Sequence, residues 1–239
     1  TFTTATLDAT PPTVSSVTYG SHDGTLKEGE TVSLVVTFSE NVTVAGGTPT
    51  LTLDSGGTAT LISGSGTSAL MFSYTVASGD NTSDLAITAF NLNGATVKDT
   101  QGNNANTAGA ITNPAGTLVV DTIPPDAGTL ALATFTDSGS SSSDFVSNDH
   151  TFDLNLSGHE SGSTVAYEVS TDGGSIWTPT TPGQSTLADG SYQFRTQVSD
   201  LAGNTSISNV VSVTVDTTAP VAGTLGLTNF TDSGSSNSD

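Results

Sequence analysis

The sequence predicts an all-β protein: two tandem antiparallel β-sandwiches arranged as an elongated rod, followed by the start of a third repeat. Three observations carry this. An Asp followed within a few residues by proline occurs after three strand-like runs, as Asp8-Ala9-Thr10-Pro11-Pro12, Asp121-Thr122-Ile123-Pro124-Pro125 and Asp216-Thr217-Thr218-Ala219-Pro220. Turn signals recur about every 8–12 residues without helical periodicity, the pattern of a sandwich. Residues 126–144 and 221–239, offset by 95, agree at 14 of 19 positions, so the units are tandem copies.

Proline fixes φ and pushes the residue before it into extended geometry, which makes each Asp-to-Pro connection short and stiff. The spacings, 113 residues from Asp8 to Asp121 and 95 from Asp121 to Asp216, are each the size of one domain. The expected division is therefore 1–8, the last strand of a preceding repeat; 9–121 and 122–216, two complete domains; and 217–239, the first strand and loop of a following repeat.

In the first unit, strands are expected at Val14 to Tyr19, Thr31 to Phe38, Thr50 to Leu53, Ala69 to Val76, Asp84 to Phe90 and Gly116 to Val120. Thr31 to Phe38 is the strongest of these, being β-branched and apolar. A turn containing His22-Asp23-Gly24 lies between the first two, and Gly46-Gly47 and Gly56-Gly57 bracket Thr50 to Leu53.

In the second unit, Gly128 to Phe135 leads into the polar loop Thr136 to Asp144. Thr151 to Leu156 places Phe152, Leu154 and Leu156 on one face, and Thr164 to Val169 runs into a hairpin at Ser170 to Trp177. Ser191 to Val198 alternates Tyr192, Phe194, Thr196 and Val198 against Gln193, Arg195 and Gln197, a half-buried strand with a polar outer face. Val211, Val213 and Val215 close the unit. The orphan strand of the third unit carries Leu225, Leu227 and Phe230, which need a partner from the preceding domain or another chain, or fray.

Hydrophobic residues make up 33% of the chain, which suffices where strands are buried on one face only. Low hydrophobicity with high charge also marks disorder, but the alternation of the runs above opposes it. Three basic residues, Lys27, Lys98 and Arg195, face 23 acidic ones, giving a net charge of −20. Phosphate binding needs clusters of Lys and Arg, so nucleic acid is excluded as a partner and an anionic membrane surface is disfavoured.

Metal cations remain as counterions. With oxygen ligands and no cysteine the expected one is Ca2+, against plain solubility through surface charge as the competing explanation. The absence of Cys removes disulfides and thiolate zinc sites, which is ordinary for a bacterial surface protein. No run approaches the ~20 apolar residues of a membrane span, so no membrane insertion is expected in this segment. No initiating Met or signal peptide stands at Thr1, and the chain reads as a piece of a longer one.

In this order the motifs resemble those of tandem bacterial Ig-like repeats in large surface adhesins, including calcium-dependent, RTX-type ones. The second unit carries Thr136-Asp137-Ser138-Gly139 with Asp144 and Asn148-Asp149, then Ser170-Thr171-Asp172-Gly173-Gly174 with Trp177, Leu187 to Tyr192, Asp200 to Asn204 and Val215-Asp216. The first unit resembles a second subtype through Asp23-Gly24, Gly29-Glu30, Val35 to Glu40, Thr75-Val76, Asp99 to Asn103 and Val120-Asp121. The resemblance implies a seven-strand Ig-like sandwich, non-enzymatic, serving as a stalk at a bacterial cell surface or in a secreted protein. Its partners would be neighbouring repeats of the same polypeptide, with calcium stiffening the junctions and ligand-binding domains elsewhere.

In an Ig-like fold the loops Asp99 to Asn103 and Asp200 to Asn204 lie near the preceding linker. Asp99 and Asn103 are therefore expected to approach Asp8, and Asp200 and Asn204 to approach Asp121. Such oxygens can supply part of the 6–8 that calcium takes; the alternative is an Asx turn with glycine at positive φ. A further metal or structural role is expected for Asp137, Asp144 and Asp149, whose loop does not fit an EF-hand and should lie near Asp216.

Ser170 to Trp177 also matches the Asp-box of sialidase propellers, where it is a structural hairpin; a single copy carries no enzymatic weight. His22, His150 and His159 are scattered without nucleophile-elbow spacing, and Glu28, Glu160 and Glu168 form no recognisable acid–base pair. Lys27 and Lys98 are the lysines an isopeptide would need, but Lys27 lies in a turn. Asn-x-Ser/Thr sequons at Asn41, Asn81, Asn155, Asn204 and Asn229 are expected by chance in so polar a chain.

The leading expectation is thus a stalk module of an adhesin. Two others differ in class: a surface-layer or filament subunit assembling by strand exchange through its termini, and a carbohydrate-binding accessory module. The last needs an aromatic platform, for which one Trp and four Tyr are a poor supply.

Overall fold

A computed structural model describes residues 8–20, 24–226, 228, 229, 231, 233, 235 and 236. The strand expected over 1–7, the His22-Asp23 turn and, near the C-terminus, Leu227, Phe230, Asp232, Gly234 and 237–239 lie outside the described residues. Among those described the fold is all-β and of sandwich type, with eighteen strands and one 3-10 turn at Ala108–Ala110.

The longest strand, β3 (Thr31–Ala45), organises the first repeat. Val32, Leu34, Val36 and Phe38 are buried while Ser33, Val35 and Thr37 are half-exposed, the period of two expected of a sheet with one covered face. The strand runs past the expected end at Phe38; its register against β6 (Thr67–Thr75) shifts between Thr37 and Val42, and Val42 lies buried on the same face as Phe38. The first half of β3 pairs with β1 (Val14–Tyr19) and β6, and its second half with β8 (Thr96–Lys98).

From β6 the sheet continues through β5 (Thr58–Ser63) and β4 (Thr50–Leu53) to β7 (Ile87–Asn91), all antiparallel. A parallel pair, β2 (Gly24–Leu26) with β9 (Leu118–Val120), completes the repeat. Leu34, Leu51, Leu70, Phe72, Leu85 and Leu118 form its dry centre, each fully buried, with Phe90 edge-on to Phe72 at 5.6 Å. The sequence gives no sign of β2, β5 and β8, which are short or bury little: in β5 only Ala59 is fully covered.

In the second repeat β10 (Ala127–Ala133), β12 (Phe152–His159) and β15 (Gly183–Gln184) form one sheet. β11 (Val146–Ser147), β18 (Val211–Val215), β16 (Gly190–Ser199), β13 (Thr164–Ser170) and β14 (Thr178–Thr180) form the other, with β17 (Thr205–Ile207) on β16. Again the unforeseen strands are the shortest, of two or three residues. Gly128, at φ +69, could carry no side chain, because a Cβ would stand 2.6 Å from the Ser157 carbonyl oxygen.

The chain divides into two compact units. One takes the described residues up to Leu130 with Leu156–Tyr167 and Arg195–Asn209; the other takes Ala131–Asn155, Glu168–Phe194 and the described residues from Val210 on. Within the second unit the centre is aromatic: Phe135 is edge-on to Phe152 at 5.4 Å, and Phe152 edge-on to Phe194 at 5.8 Å.

Residues 217–226 form no strand. Leu130 on β10 is 2% exposed, whereas Leu225, its counterpart in the third copy, is 99% exposed. A strand pattern becomes a strand only against a partner edge.

Thr196 breaks the apolar face of β16. It is fully buried, and its hydroxyl has no hydrogen-bond partner. Its backbone is satisfied independently, since its N–H donates to Ser208 Oγ (2.9 Å) and its carbonyl accepts from the Ser208 N–H (3.0 Å). Leaving a buried hydroxyl unpaired costs about 1–3 kcal/mol. Thr196→Val, which keeps the shape and removes the hydroxyl, should raise the urea midpoint, by about 1 kcal/mol of stability; equilibrium denaturation at unchanged m-value checks it.

Candidate functional site

The three linkers share one local device. The Asp8 carboxylate accepts the Thr10 N–H at 2.9 Å, Asp121 accepts Ile123 N–H at 2.9 Å, and Asp216 accepts Thr218 N–H at 3.0 Å. Each is an Asx turn, which sets the chain's direction just before the proline-bearing segment.

Two linkers are gripped by the loops that the sequence places beside them. In the first loop Asp99 accepts the N–H groups of Gln101 (2.9 Å) and Asn103 (2.8 Å), and its other oxygen accepts Asn103 Nδ2 at 2.7 Å. The same Nδ2 donates to the Asp8 carbonyl at 3.0 Å. The second loop repeats this: the Asn204 N–H and Nδ2 each donate to the Asp200 carboxylate at 2.9 Å, and Nδ2 donates to the Asp121 carbonyl at 2.9 Å. The asparagine amides thus reach the linkers as hydrogen-bond donors. Gly102 (φ +92) and Gly203 (φ +84) make the turns possible.

At the first joint a residue missed by sequence reading completes a cluster. Glu40 lies just beyond Phe38, where the register of β3 shifts, and one carboxylate oxygen each of Asp8, Glu40 and Asp99 lie within 4.8 Å of one another. Burial, followed by the charges of Asp8 and Asp99, holds the Glu40 carboxyl above its usual range. For Asp99 burial acts upward, but the Asn103 side chain and the Asn103, Gln101 and Gly102 amides outweigh it, and the carboxyl lies below its usual range. Three converging hard oxygens with no nitrogen or sulfur donor fit calcium by ligand type. The only hint in the sequence is that Glu40 ends the motif Val35 to Glu40.

At the second joint Asp121 and Asp200 line a cavity of about 130 Å³ with Glu160, Ser161, Gly162, Ser163 and Leu201, all residues of the first compact unit. Lys27 also arrives, its Nζ donating to the Gly203 carbonyl at 3.2 Å.

At the third linker the Asp216 N–H donates to the Ser147 carbonyl at 2.9 Å, which brings the Asp137–Asp149 loop beside it. The loop's carboxylates hold its own amides: Asp137 accepts Phe145 N–H (3.1 Å), Asp144 accepts Val146 N–H (3.2 Å), and Asp149 accepts Thr136 (2.8 Å) and Thr151 (3.1 Å) N–H. The second oxygen of Asp137 is buried without a partner. Ser138, Gly139, Val146, Ser147, Asn148 and Asp216 line a cavity of about 320 Å³ in the second unit.

The threonine after each of two linker aspartates is also held, by a residue to which the sequence reading gave no role. Thr122 N–H donates to Asn81 Oδ1 at 2.9 Å. Thr217 donates to Asp189 through its N–H (2.9 Å) and hydroxyl (2.7 Å), and the Thr218 hydroxyl does so at 2.6 Å. In the hairpin, Asp172 accepts the Ser175 (3.0 Å) and Ile176 (2.9 Å) N–H groups while Trp177 Nε1 donates to the Gly174 carbonyl (3.0 Å), a turn-fixing arrangement.

These are repeating sandwich units joined by gripped linkers. Residues 122–217 match the family of bacterial Ig-like domains, modules that are commonly extracellular or surface-exposed and structural in role. Comparison with curated protein sequences gives no match. Among solved structures, fibronectin(III)-like modules of Clostridium thermocellum CbhA are similar at 16% identity over 83% of this chain and 93% of theirs, with a TM-score of 0.33. Dimeric latent PorU of Porphyromonas gingivalis is similar at 15% identity over 88% of this chain and 24% of its own, with a TM-score of 0.24. At such scores neither likeness carries an argument. No helix among the described residues is long and apolar enough to cross a membrane.

Hydrogen bonds from Thr218 and Thr217 hold the Asp189 carboxyl at about 2, against an ordinary 3.8. Its folded value being depressed, its contribution favours the fold above about pH 4 and is lost as the pH falls through about 2. Asp189→Asn should lower the melting temperature at neutral pH and remove this part of the acid dependence, leaving wild type and variant closest at pH 2. Melts from pH 6 to 2 check this.

Proposed function

We propose that the chain is a non-enzymatic stalk segment of a bacterial surface adhesin, in which calcium helps set the geometry between successive Ig-like repeats of one polypeptide. The domain boundaries under this reading are those of the linkers, 9–121 and 122–216. The observation that carries it is the recurrence of one clamp, a linker Asp in an Asx turn with its carbonyl held by the Asn of an Asp-x-x-Gly-Asn loop, at both Asp8 and Asp121. A clamp that repeats with the sequence belongs to the joining of repeats rather than to one reaction.

Support for calcium is strongest at the first joint, where Asp8, Glu40 and Asp99 offer converging carboxylates. A divalent ion there would relieve the mutual repulsion of the three. Asp121 and Asp200 at the second joint, and Asp137, Asp144, Asp149 and Asp216 around the third linker, are weaker candidates, because among the described residues no third acidic side chain converges on them as Glu40 does at the first joint.

Titration calorimetry of the full chain with calcium tests the reading. Binding is expected, weakened by at least about tenfold in Glu40→Gln, since each lost charged ligand lowers affinity. Calcium at 100 times its dissociation constant should stabilise the wild type by about 2.7 kcal/mol, and Asp99→Asn should show little of this gain in thermal melts. Absence of binding heat in the wild type overturns the calcium reading.

A further inference from the structure

The second joint contains a cation of the protein's own. Lys27 follows β2 directly, and its N–H donates to Glu30 Oε2 at 3.0 Å, which fixes the root of the side chain. The Leu26 carbonyl beside it accepts the Asp121 N–H at 2.9 Å, so Lys27 stands next to the linker. Its Nζ donates to the Gly203 carbonyl within the Asp200–Asn204 loop, and its stem lies along that glycine. A Cβ at Gly203 would stand 3.2 Å from Nζ and 3.9 Å from both Cδ and Cε. All these residues lie in the first compact unit.

Only three basic residues occur in this chain of net charge −20, and one of them reaches the loop that holds a linker. Its ammonium donates to a backbone carbonyl, a reversible hydrogen bond. Asn204 already bridges the Asp200 carboxylate to the Asp121 carbonyl. Lys27 adds a second tie to the same loop, from the strand edge that holds the linker's N–H. A divalent ion entering between Asp121 and Asp200 would meet a like charge on that loop, which disfavours it. At the first joint, by contrast, three carboxylates converge.

We propose that Lys27 is the resident cation of the Asp121 joint and closes it without a metal, so that the two joints differ in their dependence on divalent ions. The contrast rests on the calcium reading of the Asp8 joint; the role of Lys27 does not.

The test uses the absence of cysteine from the chain. Spin labels at Ile62→Cys and Ile176→Cys, 57% and 66% exposed in the native chain and one in each compact unit, report the distance distribution across the Asp121 joint. The expected result is a narrow distribution that neither chelator nor added calcium changes, a broader one in K27M under both conditions, and recovery of most of the narrowness in K27R. Circular dichroism and the melting curve establish that K27M is folded. A K27M distribution as narrow as the wild type overturns the proposal. So does broadening of the wild type by chelator, a result that needs no variant to fold. Failure of calcium to bind at Glu40 and Asp99 would be seen by calorimetry and would leave the behaviour of Lys27 unchanged.

Discussion

A carboxylate accepting backbone N–H groups is the interaction on which this structure depends. With 23 acidic and three basic residues, few carboxylates can find a side-chain cation, and the amide N–H is the donor that every turn supplies. Asp8, Asp121 and Asp216 direct the linkers, Asp99 and Asp200 form the gripping loops, Asp172 closes a hairpin, and Asp149 ties the loop before β12. Such bonds are charge-assisted and short-range, so the charge that repels at a distance organises the chain locally. The cost appears where carboxylates meet each other, as at Glu40.

The fold was legible because its strands obey the simplest rule available to them. β3 and β16 alternate apolar and polar residues, and the structure buries Val32, Leu34 and Val36 in one and Phe194 and Val198 in the other. What escaped were elements with too little pattern to detect. β2, β11 and β15 are two or three residues long; β11 and β15 lie on the edges of longer strands, and β2 on β9, which is no longer than itself. The extension of β3 to Ala45 includes a register shift, which leaves no compositional trace.

The site was half legible for a related reason. Repetition exposed Asp99, Asn103, Asp200 and Asn204 as a set, and topology carried them to Asp8 and Asp121. Glu40, Asn81, Asp189 and Lys27 occur at positions that do not repeat in register, so the comparison of one copy with the next passed over them. Lys27 in particular lies in a turn, where a lysine on a solvated loop needs no explanation. Its significance comes only from the Gly203 carbonyl, 176 residues away in sequence.

The parallel pairs β2·β9 and β11·β18 also bear on tension. Each places the last strand of a repeat, the one that leads into the next linker, alongside a short strand running in the same direction. A pull on the linker draws β9 or β18 along its own axis, so the bonds of the ladder are loaded together in shear instead of being peeled one by one. The Asp121 N–H to Leu26 bond and the Asp216 N–H to Ser147 bond extend each ladder by one rung into the linker. Without disulfides to stop extension, these rungs share a force transmitted through the chain with the antiparallel bonds of β18 to β16 and of Val120 to Thr82.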